Sequence, residues 1–300
     1  MAASIRIGIQ PTCWTNDDFQ EIGDETPYQT ILRETAAAGY EGGSTGHNYP
    51  SHIPSLRSAL DAHSLSITST WVGTQFSDPD KHGATLEYVR GQIQFLKRIG
   101  ATDIVVAELA GAVNQMRGKS MFDDRPRLNE PQWFLLARGL NEAGKLANEA
   151  GMKLSFHPHL GTSVQNEDEI DRLLTETNPE LVHLCLDTAH QYCADVNPFK
   201  LTSRYVKRIS HVHLKNARQN VLDDAKKKKY SFFQSILGGI FTVPGDPEGG
   251  IDFHPILTEL VKNEYSGWIV VEAEQSPDKT PTPFEYATMA RKLIRDCINI

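Results

Sequence analysis

Short apolar runs alternate with longer amphipathic stretches from one end of the chain to the other. The segments Ile5–Ile9, 40–46, 65–71, 104–107, Lys153–Phe156, 182–186, Ile209–Leu214 and 268–271 read as strands. Residues 104–107 form a continuous apolar stretch, the pattern of a strand buried on both faces, whereas 40–46 is weak and glycine-rich. Between and after them, 28–38, 53–63, 133–149, 166–176, 198–206, 254–263 and 284–297 carry helical periodicity. Leu86, Val89, Ile93 and Leu96 recur at the same spacing before Gly100, a stop signal. Strict strand–helix alternation implies a parallel sheet, and eight units favour closure. The predicted fold is a (β/α)8 TIM barrel spanning residues 1–300 as a single domain. The doubly wound alternative expects a glycine-rich loop after the first strand, where this chain has Gln10-Pro11-Thr12-Cys13-Trp14.

Polar residues collect at one end of these strands. Phe156-His157-Pro158-His159, Leu186-Asp187-Thr188-Ala189-His190, His211-Val212-His213-Leu214-Lys215 and Val271-Glu272-Ala273-Glu274 each follow or close an apolar run. Active sites of parallel barrels are built at the strands' C-terminal ends. Alternation sets His213 and Lys215 on one side of their strand, and Glu272 and Glu274 on one side of theirs. Asp187, His213 and Glu272 are therefore expected to converge from the last three strands as ligands of a divalent ion. The donor set is nitrogen and oxygen without thiolate, which suits Mn²⁺, Co²⁺, Mg²⁺ or Zn²⁺. Glu108, ending the fourth strand, is a candidate fourth ligand or acid/base group. His157 and His159 are candidates for metal binding or proton transfer. Lys215 is expected near the mouth, holding a substrate oxygen or an enolate. Trp14, Asn16, His190 and Glu274 are candidate substrate contacts. Two long βα loops, 109–130 and 217–250, follow the fourth and seventh strands, and loops of that length usually serve function.

Composition narrows the partners. The net charge of −8 argues against nucleic acid, which calls for a basic surface. Lys226 to Lys229 reads as a solvated face. No apolar run approaches the ~18 residues of a membrane span. Residues 1–6 lack a basic start followed by a long apolar stretch, so no signal peptide is expected. Cys13, Cys185, Cys193 and Cys297 form no C-x-x-C pair and read as reduced thiols, fitting a cytoplasmic protein. A homo-oligomer stays open.

Longer motifs carry a resemblance. Gly8-Ile9-Gln10-Pro11 with Trp14-Thr15-Asn16-Asp17-Asp18, His157-Pro158-His159-Leu160-Gly161-Thr162 and the segments 239–246 and 267–275 resemble the inosose dehydratase (2-keto-myo-inositol dehydratase) family, within the xylose-isomerase-like barrels. The resemblance covers nearly the whole chain. It implies a metal-dependent lyase that removes water from a ketonic cyclitol, with Mn²⁺ or Co²⁺ as the ion and a keto-polyol as substrate. The chain departs from the family pattern at Gly43-Ser44-Thr45, where related dehydratases tend to carry an acidic residue. It departs again at Ala189 in Asp187-Thr188-Ala189-His190 and at Asn216 after Lys215. The alternatives are a sugar or keto-cyclitol isomerase or epimerase on the same metal site, and a sugar-binding barrel without activity.

Overall fold

Among the described residues eleven strands occur in chain order: β1 (Ile5–Ile9), β2 (Gly42–Gly43), β3 (Ser66–Ile67), β4 (Trp71–Thr74), β5 (Asp103–Glu108), β6 (Lys153–Phe156), β7 (Val182–Asp187), β8 (Ile209–Leu214), β9 (Asn216–Ala217), β10 (Phe241–Thr242) and β11 (Gly267–Val271). They come from a computed structural model that describes residues 5–278 and 280–300. The expected N-terminal stretch therefore lies largely outside the described residues. Nine strands form one sheet in the order β3-β2-β1-β11-β8-β7-β6-β5-β4, every pairing parallel. Its two ends, β3 and β4, belong to one chain segment broken only at residues 68–70. Thr68 N donates to Gly43 O and Val105 N to Thr70 O, so the ladder closes through that break. This is the expected (β/α)8 barrel.

Local sequence explains the elements. The helices Glu130–Glu149 and Glu167–Glu176 start with capping boxes, Asn129 with Gln132 and Asn166 with Glu169. The first begins three residues before the apolar periodicity suggested, because the cap and not the first apolar residue sets a helix start. β2 is squeezed between its neighbours: a Cβ on Gly42 would lie 2.1 Å from Ser66 O, and one on Gly43 2.3 Å from Ile9 O. Only glycine permits that approach.

A first hydrophobic core fills the barrel and the helix layer, with Ile7, Val72, Val106, Leu154, Leu186, Leu214 and Val271 among its members. A second, smaller core roofs the mouth. It joins Phe19 of the first βα loop and Met121 of the fourth to Leu222, Phe232, Ile236 and Phe241 of the seventh. The seventh loop is not structureless: it holds the helices Gln219–Lys228 and Phe232–Gly238 and the antiparallel β9–β10 ribbon. Its lysine run sits on the first of these helices and pairs outward, Lys226 with Asp195 and Lys228 with Asp224. Among the described residues no helix is long and apolar enough to cross a membrane.

Candidate active site

Register puts the ligand-type residues at one level. Asp187 pairs with His213, and Val270 pairs with His213 from the other side, so Glu272 lies just beyond. Glu272 N donates to Leu214 O and Gln10 N to Val271 O, which carries the ladder past the strand ends. Asp187 also caps the short helix Thr188–Cys193: its Oδ1 accepts from His190 N at 2.8 Å. That helix was not legible in the periodicity, being too short for it.

One oxygen of Asp187 is thus used and the other is not. Oδ2 is buried with no hydrogen-bond partner, and His213 Nδ1 is in the same condition. His213 Nδ1 lies 3.8 Å from Asp187 Oδ2 and 2.9 Å from Glu272 Oε2, the latter without hydrogen-bond alignment. One ligand atom each of Asp187, His213 and Glu272 lies within 4.8 Å of the others. Buried polar atoms normally find partners. An orphaned carboxylate oxygen and an orphaned ring nitrogen facing a third carboxylate fit a divalent cation of the oxygen/nitrogen-preferring kind. His157 Nε2 adds a fourth donor 3.5 Å from Asp187 Oδ2. For Glu272, burial raises the pKa, but Lys215 and His213 bring it well below the usual carboxylate range. It is held as an anion.

The neighbouring histidines are fixed by the backbone of one residue, Leu160. His159 Nδ1 donates to Leu160 O at 2.8 Å, which leaves its Nε2 as the bare nitrogen. His190 Nδ1 accepts from Leu160 N at 3.2 Å. Burial, helped by the charge of His157 and Lys215, holds His159 well below the usual imidazole range, so it stays neutral. Glu274 is pushed up to about 7: burial raises it, Lys215 pulls it down, and Glu272 and Asp18 push it up again. Its Oε2 receives Asn16 Nδ2 at 3.4 Å, while Asn16 Oδ1 accepts from Phe19 N.

These groups open onto a cavity in the barrel mouth. Its charged side has His157, His159, His213, Glu272, Glu274, Asp17 and Asp18, with Asn16 and Gln10. Its other side is made of Ser44, Thr45, Ser69 and Trp71. Sequence reasoning missed Gln10, whose carboxamide lies 3.2 Å from His213 Nε2. It also missed the hydroxyl residues. A polar residue ending β1 was a readable signal; single serines and threonines on short strands were not.

Among the expected site residues, Glu108, Trp14, Lys215 and His190 do not line the cavity. Glu108 does not reach the cluster. Its oxygens are filled by Thr74 Oγ1, Phe76 N, Ser77 N and Ser77 Oγ at 2.8–3.0 Å, so it organises the turn after β4. Trp14 packs into the barrel core and donates Nε1 to Glu34 Oε2 at 2.6 Å, away from the cavity. Lys215 is fully buried beneath the carboxylates, with Nζ 2.7 Å from Glu272 Oε1 and 2.5 Å from Glu274 Oε1. It does not line the cavity wall. His190 lies between Lys215 and His159 behind that wall, its Nε2 3.2 Å from Lys215 Nζ.

Comparison with known proteins agrees with this architecture. The model of the xylose isomerase-like TIM barrel family matches residues 32–296. The inosose dehydratase of Clostridium beijerinckii is 41% identical over 97% of both chains. That of Lacticaseibacillus casei (strain BL23) is 40% identical over 100% of this chain and 98% of its own. Among solved structures, the IOLI protein with a binding zinc atom superposes with a TM-score of 0.73 at 16% identity, covering 98% of each chain. L-ribulose 3-epimerase superposes with 0.72 at 18% identity, covering 100% of this chain and 95% of its own. At such identities these two structures speak to the fold alone. The full-length relatives decide more: the chain belongs to the inosose dehydratase family of xylose isomerase-like TIM barrels.

Proposed function

We propose that this chain eliminates water from a ketonic cyclitol such as scyllo-inosose, with one divalent ion, Mn²⁺ or Co²⁺, held by Asp187, His213 and Glu272. His157 is the fourth donor. The observation that carries the reading is the orphaned Asp187 Oδ2, buried and facing His213 and Glu272. Family membership supplies the substrate class. A metal at this position supplies Lewis acidity toward the ketone oxygen, worth several kcal/mol to a charge developing there.

The chain's own groups handle the protons. His159 presents a bare Nε2 and is held neutral, which suits it to take the proton α to the ketone. The electron pair of that C–H bond forms the new double bond, and the β-hydroxyl departs with its own bonding pair. Glu274 lines the cavity beside His159 and supplies the proton that turns the departing hydroxyl into water. Ser44, Thr45 and Ser69 accept or donate to the remaining ring hydroxyls, and Trp71 covers an apolar face of the ring.

The test is mass analysis of the product formed from scyllo-inosose by the Mn²⁺-loaded protein. Loss of one water supports the dehydratase. Turnover without change of mass sinks it in favour of an epimerase, the reading that a shared enolate chemistry also allows.

A further inference from the structure

Beside the candidate metal set lies a second one. One ligand atom each of His159, His190 and Glu274 falls within 4.8 Å of the others, and all three residues are buried. A cation already stands there. Lys215 Nζ is 2.5 Å from Glu274 Oε1, 3.2 Å from His190 Nε2 and 4.3 Å from the Phe241 ring centroid. It is also 2.7 Å from Glu272 Oε1, while Glu272 Oε2 faces His213. Glu272 therefore bridges the two sets, one oxygen to each.

We propose that the Lys215 ammonium is a built-in second cation. It occupies the place at which His159, His190 and Glu274 would otherwise hold a second divalent ion, and it limits the chain to one metal ion. Charge balance supports this. Asp187 and Glu272, with Glu274 in the form that precedes its uptake of the proton it later donates, bring three negative charges into a buried site. One divalent ion and one ammonium neutralise all three, whereas without the ammonium one divalent ion leaves a negative charge unmatched in a medium that penalises unpaired charge. The ammonium is tethered, so it is present before any ion arrives. Thr188 holds the tether from both sides: its Oγ1 donates to Lys215 O at 2.6 Å and receives Lys215 N at 3.0 Å. An ammonium is also a compact point charge with three donors, which suits a place between two carboxylates. The geometry explains why a lysine just past β8, on the inward side, does not reach the cavity.

The inference rests on the metal reading of Asp187, His213 and Glu272, and the test separates the two. Mn²⁺ per chain is measured after dialysis for the wild type, Lys215→Met, Lys215→Arg and the double variant Lys215→Met/Glu274→Gln. About one ion is expected in the wild type and in Lys215→Arg, about two in Lys215→Met, and about one again in the double variant. The melting temperature of Lys215→Met should rise with added Mn²⁺ by more than that of the wild type, because the ion replaces the missing positive charge. Lys215→Met that keeps one ion and gains no extra Mn²⁺ stabilisation overturns the proposal. So does Lys215→Met that stays unfolded in the presence of Mn²⁺. A wild type that holds no ion sinks the metal reading instead.

Discussion

The two halves of the barrel mouth use opposite chemistry. From β6 through β7 and β8 to β11, the strand ends carry His157, Asp187, His213 and Glu272, all buried and charged or titratable. From β2 through β3 to β4, the corresponding positions carry Ser44, Thr45 and Ser69, which are neutral. On that side Ser44 Oγ is 3.2 Å from Ser69 Oγ, and Thr45 Oγ1 is 2.9 Å from Thr70 Oγ1. One half therefore leaves acceptor atoms without partners, and the other satisfies its hydroxyls among themselves. Orphaned atoms are where an ion or a reacting group is accepted, while satisfied hydroxyls exchange partners at little cost. Under the proposed function the charged half is the reacting half and the hydroxyl half is the recognising one.

Metal binding breaks this comparison most sharply. Asp187→Ala and Glu272→Ala should each lose the ion, read by metal analysis, and with it all measurable turnover of scyllo-inosose. Retention of stoichiometric metal by both variants would overturn the division. Next in size is His159→Gln, which removes the proposed base. It should lower kcat by about 10²–10⁴-fold while metal content and KM stay near wild type. A fall confined to KM would reassign His159 to binding.

Glu108 sharpens the comparison from the boundary between the halves. It ends β5 as Glu272 follows β11, yet its four donors come from the neighbouring turn. Glu108→Ala should keep the metal ion and cost about 2–4 kcal/mol in urea unfolding, through unpaired amides and a small cavity. Its pH dependence has a defined sign. Burial raises its pKa above 4.5 despite those donors, so the folded chain binds the proton more tightly than the unfolded one. The stability from this group is therefore full below 4.5 and declines as pH rises through the folded value. That decline should be absent in the variant, as compared by urea midpoints from pH 4 upward.

The barrel was legible because eight apolar runs alternate with amphipathic ones along the whole chain. The convergence of Asp187, His213 and Glu272 was legible because imidazole and carboxylate directly after a buried strand are costly without a partner. Glu108 shows the limit of that logic. The same signal, a carboxylate ending a buried strand, arises when a turn supplies the partner, and the donors at Thr74 and Ser77 lie more than thirty residues away in sequence. Lys215 shows another limit. Alternation placed it on the inward side of its strand, but alternation does not say which inward groups will close over it. Trp14 failed for a third reason: Glu34, which holds its indole, sits on a helix whose facing direction depends on packing.

The smallest effect tests the recognising half directly. Ser44 is buried, lines the cavity and spends its hydroxyl on Thr68 and Ser69 at 3.4 and 3.2 Å. Ser44→Ala leaves two other hydroxyls, each able to re-pair with the other or with substrate. The loss of one neutral hydrogen bond, about 0.5–1.5 kcal/mol, should raise KM roughly 2- to 10-fold and leave kcat and metal content unchanged. A ring that lacks the hydroxyl met by Ser44 should show no such penalty, so one deoxy analogue of the ketone should be turned over equally by variant and wild type. If Ser44→Ala instead lowers kcat with KM unchanged, the hydroxyl side takes part in the reaction. The mouth would then no longer divide into a reacting half and a recognising half.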